Sequence, residues 1–213
     1  MTRILTLALL TGSLLLAPAA HAADGDDWSP KKLYMLKGCQ PCHGKEGRKP
    51  IQDYPLLAGQ NRDYMLAQIN EIDSGKRSAS PDATGHPRTE GMKGVLVNLN
   101  ADQRAKVAQW LSEQNPQPLA PLQEPAPADA VERGKKAYTK FQCHTCHGEA
   151  GLKPKPGYPI LGGQKKAYLV NQMKDIKAGV RSNPKVKIMT GFIKRVADGD
   201  MTDIADYLAS VPR

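Results

Sequence analysis

Twice, 104 residues apart, the chain runs Cys-x-x-Cys-His-Gly, and a sequence that repeats itself at a fixed offset is confined to an architecture of two similar units. Cys39-Gln40-Pro41-Cys42-His43-Gly44 falls on Cys143-His144-Thr145-Cys146-His147-Gly148. The register holds through Tyr54-Pro55-Leu56-Leu57-Ala58-Gly59-Gln60 on Tyr158-Pro159-Ile160-Leu161-Gly162-Gly163-Gln164, then Tyr64 on Tyr168, Gln68 on Gln172, Gly75 on Gly179 and Arg77 on Arg181. Past Arg77 the offset drops to 97, bringing Met92 onto Met189, Ala108 onto Ala205 and Trp110 onto Tyr207. The first copy therefore carries seven extra residues, expected in a polar, Pro- and Gly-rich loop from Ser78 to Gly91.

Each copy reads as helical. Ser29-Pro30 is an N-cap followed by proline at the first helical position, opening a short helix towards Cys39. A middle helix from about Arg62 to Asp73 places Met65, Leu66, Ile69 and Ile72 at apolar positions and stops near Gly75. The last helix opens at Asn100 with Gln103 three residues on, a capping-box pattern, and carries Val107, Ala108 and Leu111 on one face. The second copy repeats the plan from about Asp129, Lys165 and Asp198. No alternation long enough for a sheet occurs, so the expected fold is all-α. Between the copies the prolines at 116, 118, 121, 125 and 127 prefer a stiff extended path, and residues 115–128 are read as a linker between domains at 23–114 and 129–213.

Residues 1–22 read as an export leader. Arg3 supplies a positive start, Ile4 to Leu16 is almost wholly apolar, and Ala20-His21-Ala22 is a small-x-small cleavage pattern. The run is shorter than the roughly 20 apolar residues of a membrane span. Cleavage after Ala22 would deliver the remainder to the periplasm, a location that disfavours nucleic acid as a partner despite the basic balance. Phe occurs only at 141 and 192 and Trp only at 28 and 110, so two small domains need another source of apolar bulk. A buried macrocycle would provide it.

The repeated motif points to that macrocycle. On one helical turn, two thiols three residues apart reach the two vinyl groups of a porphyrin, and the adjacent histidine reaches its iron. A redox dithiol needs no histidine after its second cysteine. A zinc site would want the two pairs together, and here a hundred residues and a stiff linker lie between them. Cys39, Cys42, Cys143 and Cys146 are used up by two motifs, which predicts two covalently bound haems c with His43 and His147 on their irons.

What fills the opposite position separates electron transfer from catalysis. A methionine sulfur favours ferrous iron and closes the metal to substrates. Of Met35, Met65, Met92, Met173, Met189 and Met201, only Met92 and Met189 correspond between the copies, each in an expected loop before the final helix. The others are assigned to core packing. His86 is the competing ligand in the first copy, and His144 is expected to be exposed. Pro55 and Pro159 lie twelve residues after their histidines; each is either a turn proline or the carbonyl that accepts from the ligand's second nitrogen.

With these residues on view, the chain resembles the dihaem cytochrome c4 family over essentially its whole mature length. The resemblance rests on the two Cys-x-x-Cys-His-Gly motifs, the Tyr-Pro-x-Leu stretches, Gly75 to Arg77 with Gly179 to Arg181, and the placement of Met92 and Met189. It implies two class I cytochrome c domains related by a pseudo-twofold axis, with close haem edges, and Pro55 and Pro159 bonded to the ligand histidines. The family carries electrons between respiratory complexes or to terminal oxidases. One departure stands out: Gly134 occupies the glycine position of the first helix in the second copy, but the aligned residue in the first is Pro30. A shorter first helix follows, with Tyr34 and Tyr138 still able to pack near Trp110 and Tyr207.

The expected function is one-electron relay without substrate turnover. Expected partners are a terminal oxidase, quinol–cytochrome c reductase or a dehydrogenase; peripheral membrane association stays open. From Ala23 to Asn115 there are 13 basic and 12 acidic residues, against 16 and 9 from Pro116 onwards, so the excess charge sits in the second half. There Lys135, Lys136, Lys140, Lys153, Lys155, Lys165 and Lys166 are candidates to steer onto an acidic partner, or are solvated charges offsetting haem propionates. The alternatives are a dihaem enzyme of peroxidase or thiosulfate-oxidising type, and an electron-transfer subunit of a dehydrogenase complex. The enzyme reading requires an open iron, and no cysteine is spare to ligate one.

Overall fold

The computed structural model describes residues 28–82, 84–117 and 122–213. The expected leader, and Pro118 and Pro121 of the linker, lie outside them. Ten α-helices and no strand occur among the described residues, and one isolated bridge joins Pro81 to Pro87. No helix there is long and apolar enough to cross a membrane.

In the first half, α1 (Pro30–Leu36) is opened by Ser29, whose hydroxyl accepts from Lys32 N at 3.3 Å. Leu33 and Tyr34 are its buried face. A single turn, α2 (Gln40–His43), holds the motif; α3 (Arg62–Asp73), α4 (Arg88–Leu96) and α5 (Ala101–Ser112) follow. The Asn100–Gln103 capping box is formed in full at the start of α5. Leu33, Tyr34 and Met65 pack with Val107, Ala108 and Leu111, while Ile72, Leu96 and Leu99 make a separate cluster under α4.

The second half repeats the plan with α6 (Ala128–Lys140), α7 (His144–His147), α8 (Lys166–Lys177), α9 (Lys187–Ile193) and α10 (Asp198–Ser210). Its core is one continuous cluster from Ala137 and Tyr138 through Leu169, Met173 and Ile193 to Ile204, Ala205 and Leu208. Where α6 crosses α10, a Cβ at Gly134 would overlap the Asp203 carbonyl, so only glycine permits this approach. The expected aromatic pairs form in both halves, with ring centroids 5.3 Å apart for Tyr34 and Trp110 and 5.7 Å for Tyr138 and Tyr207.

The halves meet about a pseudo-twofold axis, and two glutamines from the repeated turns join them in matching fashion. Gln60 Nε2 donates to Ile160 O at 2.9 Å while its Oε1 accepts from Ile160 N at 2.8 Å. Gln164 mirrors it, donating to Leu56 O at 3.0 Å and accepting from Leu56 N at 2.8 Å. Each side chain thereby satisfies a donor and an acceptor on the other half's backbone, groups that would cost about 1–3 kcal/mol each if buried unpaired. Asn171 adds a bond to Asp53 at 2.6 Å.

Two expectations are corrected. The first-copy insertion is a loop only as far as Pro87, because α4 starts at Arg88. The loop is also anchored: Ser80 Oγ donates to Asp175 at 2.5 Å, and Arg88 reaches Asp53 and the carbonyls of Ser80 and Pro81. Met35 is 46% exposed instead of packed, since the one buried face of so short a helix is taken by Leu33 and Tyr34.

Candidate haem sites

Each motif sits on one helical turn that is closed in the same way twice. His43 N donates to Cys39 O at 3.0 Å and His147 N to Cys143 O at 3.1 Å, which gathers the two cysteines and the histidine onto one turn. The chain then reverses at Gly44 and Gly148, with φ of 74° and 76°, where a Cβ would strike the backbone of Lys49 or Lys153. The final glycine of the motif is thus a steric requirement. The buried Tyr34 hydroxyl donates to Gly44 O at 2.7 Å, and Tyr138 to Gly148 O at 2.8 Å. Sequence reasoning cast these tyrosines only as aromatic packers and missed the hydroxyl clamp, although their offset equals that of the motifs.

The histidines are held in one protonation state. His43 Nδ1 lies 3.3 Å from Pro55 O and His147 Nδ1 lies 3.2 Å from Pro159 O. A carbonyl only accepts, so Nδ1 carries the proton and the Nε2 lone pair remains available. Burial pushes His43 down to about 4, and burial likewise lowers His147, so both rings are neutral near pH 7. The proline question left open by the sequence is answered: both carbonyls serve as acceptors. No disulfide joins any of the four cysteines, which leaves every one of their sulfurs for attachment.

A cavity of about 510 Å³ is lined by all eight residues singled out by sequence: Cys39, Cys42, His43 and Met92 from the first half, Cys143, Cys146, His147 and Met189 from the second. The rest of its wall is mainly apolar, with Leu56, Met65, Ile69, Leu96, Leu169, Met173, Ile193 and Leu208. Paired thiols, a neutral imidazole and a thioether in an apolar recess are a donor set suited to a haem, and unsuited to zinc in a charged ligand cluster. Among the described residues no group of three or more His, Cys, Asp or Glu is placed to hold a metal ion.

Met92 and Met189 are not on loops, contrary to expectation. They ride on α4 and α9. Gly91, Gly94 and Gly191 weaken the helical signal there, and packing of Leu96 on Ile72 and Leu99, and of Ile193 in the second core, overrides that weak propensity. His86, the rival ligand, is exposed and bonded to Thr84 Oγ1 at 2.8 Å, away from the cavity wall. Met65, Met173 and Met201 are buried, and His144 is exposed, as expected. In the lysine group, Lys135, Lys136, Lys140, Lys153 and Lys155 are exposed. Lys165 is not: it is 8% exposed, its ammonium bonded to the Gln52 and Pro50 carbonyls across the interface. Lys166 pairs with Asp206 at 2.7 Å.

Known proteins share this architecture. The cytochrome c family model matches residues 30–115 and again 131–212. A cytochrome c4 from Pseudomonas aeruginosa is 32% identical over 212 residues, 98% of each chain. A thiosulfate dehydrogenase electron acceptor from Thiomonas intermedia is 29% identical over 223 residues, covering 100% of this chain and 92% of that one. Among solved structures, reduced cytochrome c4 from Pseudomonas stutzeri superposes with a TM-score of 0.71 at 26% identity, covering 86% of this chain and 97% of that one. A tandem of two cytochrome c domains, each with its own attachment motif, and full-length likeness to cytochromes c4 together place the chain in the dihaem cytochrome c4 family, with two covalently bound haems c.

Proposed function

We propose that the chain is a periplasmic one-electron carrier in which Cys39 and Cys42 attach one haem and Cys143 and Cys146 the other. His43 and Met92 would ligate the first iron, His147 and Met189 the second. The observation that carries this reading is the repeated geometry of the histidines, each neutral, with Nδ1 committed to a proline carbonyl, in a cavity that the two cysteines and the equivalent methionine of the same half also line. When bound, the haem supplies an iron that cycles between ferrous and ferric. The chain's part would be to hold an imidazole and a thioether for each iron and to exclude water with an apolar wall, which would leave a reactant no place at the metal. The remaining division follows the sequence: a cleaved leader at 1–22, domains at 23–114 and 129–213, and a linker at 115–128. Electrons would pass from quinol–cytochrome c reductase or a dehydrogenase towards a terminal oxidase. The five exposed lysines Lys135, Lys136, Lys140, Lys153 and Lys155 would steer the second half onto an acidic partner.

A redox titration followed by visible absorption tests the carrier reading. Two one-electron steps, both from low-spin ferric centres, are expected. A high-spin, five-coordinate ferric signal at either centre would replace the carrier with an enzyme.

A second reading concerns the donor and is favoured by the Thiomonas intermedia relative. A thiosulfate-oxidising dehydrogenase would then be the source of electrons. Reduction of the oxidised protein by such an enzyme with thiosulfate, faster than by quinol–cytochrome c reductase, supports it; the reverse order removes it.

A further inference from the structure

In both halves the helix that bears the matched methionine is reached through a loop that first crosses to the other half. The first-half loop leaves α3 at Arg77, whose Nη2 donates to Gln172 Oε1 on α8 at 3.1 Å. Ser80 then donates to Asp175 of α8 twice, from its hydroxyl at 2.5 Å and from its amide at 3.2 Å. The second-half loop leaves α8 at Arg181, whose Nη2 donates to Gln68 Oε1 on α3 at 2.9 Å. Asn183 Nδ2 then donates to Glu71 Oε2 of α3 at 2.6 Å. Glu71 and Asp175 hold matching places in the repeat. The two loops therefore cross in opposite directions, and each is fastened to a carboxylate of the half it does not belong to.

The fastenings are buried and lie close to the methionine helices along the chain. Asp175 is 2% exposed and Asn183 1%. Among the described residues the Asp175 carboxylate takes its hydrogen bonds from Ser80 alone, and a carboxylate withdrawn from water depends on such donors. Arg88, the first residue of α4, donates to Ser80 O at 2.8 Å, so the fastened residue is tied to the start of the helix that carries Met92. Asn183 caps the short turn Pro184–Val186, which runs directly into α9 and Met189. Glycines make α4 and α9 weak by propensity, so their placement depends on what holds their ends.

We propose that these loops are crossed straps. Asp175 on the second half positions Met92 of the first, and Glu71 on the first half positions Met189 of the second. Both carboxylates are positioning residues that act through Ser80 and Asn183, and each half keeps its thioether firmly placed only while it is seated on the other. The proposal rests on the reading of Met92 and Met189 as axial ligands.

The test uses the loaded full-length protein and imidazole as a competitor for the ferric iron, with displacement followed by loss of the near-infrared sulfur-to-iron band. In a Met189→Ala background that band reports Met92 alone, and in a Met92→Ala background Met189 alone. Asp175→Ala should lower the imidazole concentration that displaces Met92 several-fold and leave Met189 as in the parent; Glu71→Ala should do the reverse. Asp175→Asn and Glu71→Gln keep an acceptor oxygen for the strap and should stay near the parent. Hydrogen exchange should show the same crossing, with α4 losing protection in Asp175→Ala and α9 in Glu71→Ala. Loosening of the methionine in the mutated half, of both equally or of neither overturns the proposal, as does an equal effect of the Ala and the conservative variants. Should Asp175→Ala fail to retain two haems, Ser80→Ala on the loop itself decides, since it must loosen Met92 and spare Met189. A parent protein without the sulfur-to-iron band would instead sink the axial assignment, and the exchange of α4 and α9 would still decide the straps.

Discussion

In the second half α6 runs 13 residues and crosses α10 at Gly134, whereas in the first half α1 runs 7 and begins at Pro30, the residue aligned with that glycine. The second half consequently ties its first and last helices through one continuous core, while the first divides its core between α1–α3–α5 and α3–α4. Local devices compensate. Asn61 and Asn100 cap α3 and α5 with their side chains, and the insertion loop is pinned to Asp175 of the other half. The equivalent caps in the second half are Lys165 and Ala197, neither of which makes a side-chain cap. Lys165 reaches across the interface instead. The same chemistry is thus held by packing in one half and by caps and interface in the other.

That contrast breaks most readily at Gly134. Gly134→Val should destabilise the second half by about 3 kcal/mol through overpacking against α10, with hydrogen exchange in the first half nearly unchanged. Equal loss of protection in both halves would show that they unfold as one unit. Next in size, Gln164→Ala should weaken the interface by about 2 kcal/mol by leaving Leu56 N and O unpaired, and Gln60→Ala should match it. A clear inequality in denaturant midpoints would mean that the axis relates their contacts less closely than the bond lengths indicate. Smaller still, Asn100→Ala should cost about 1 kcal/mol in the first half alone, and Ala197→Ser should return a similar amount to the second. Thermal unfolding of both variants sharpens the division between capped and packed halves.

Much of this was legible in the sequence because the signals were local. Asn100 with Gln103, Ser29 with Pro30, and the bounds Arg62–Asp73 all carry their reasons within a few residues, and the structure places those helix ends as expected. The motif and proline offsets carried the site in the same way. The misses share a different cause. The helices under Met92 and Met189 are weak by propensity and stabilised by distant packing, so they read as loops. Lys165 looked like one more surface charge until the other half's carbonyls at Pro50 and Gln52 surrounded it. Gln60, Gln164, Arg77 and Arg181 were visible as matches in the repeat. Their role was not, because no single copy contains the partner that each side chain meets.

One imidazole and one thioether are proposed for each iron, and near-infrared absorption of the ferric protein reports sulfur on iron directly. Met92→Ala and Met189→Ala should each remove about half of the sulfur-to-iron band and together abolish it, with both haems still attached through their cysteines. An unchanged band in either single variant would contradict the assignment for that half.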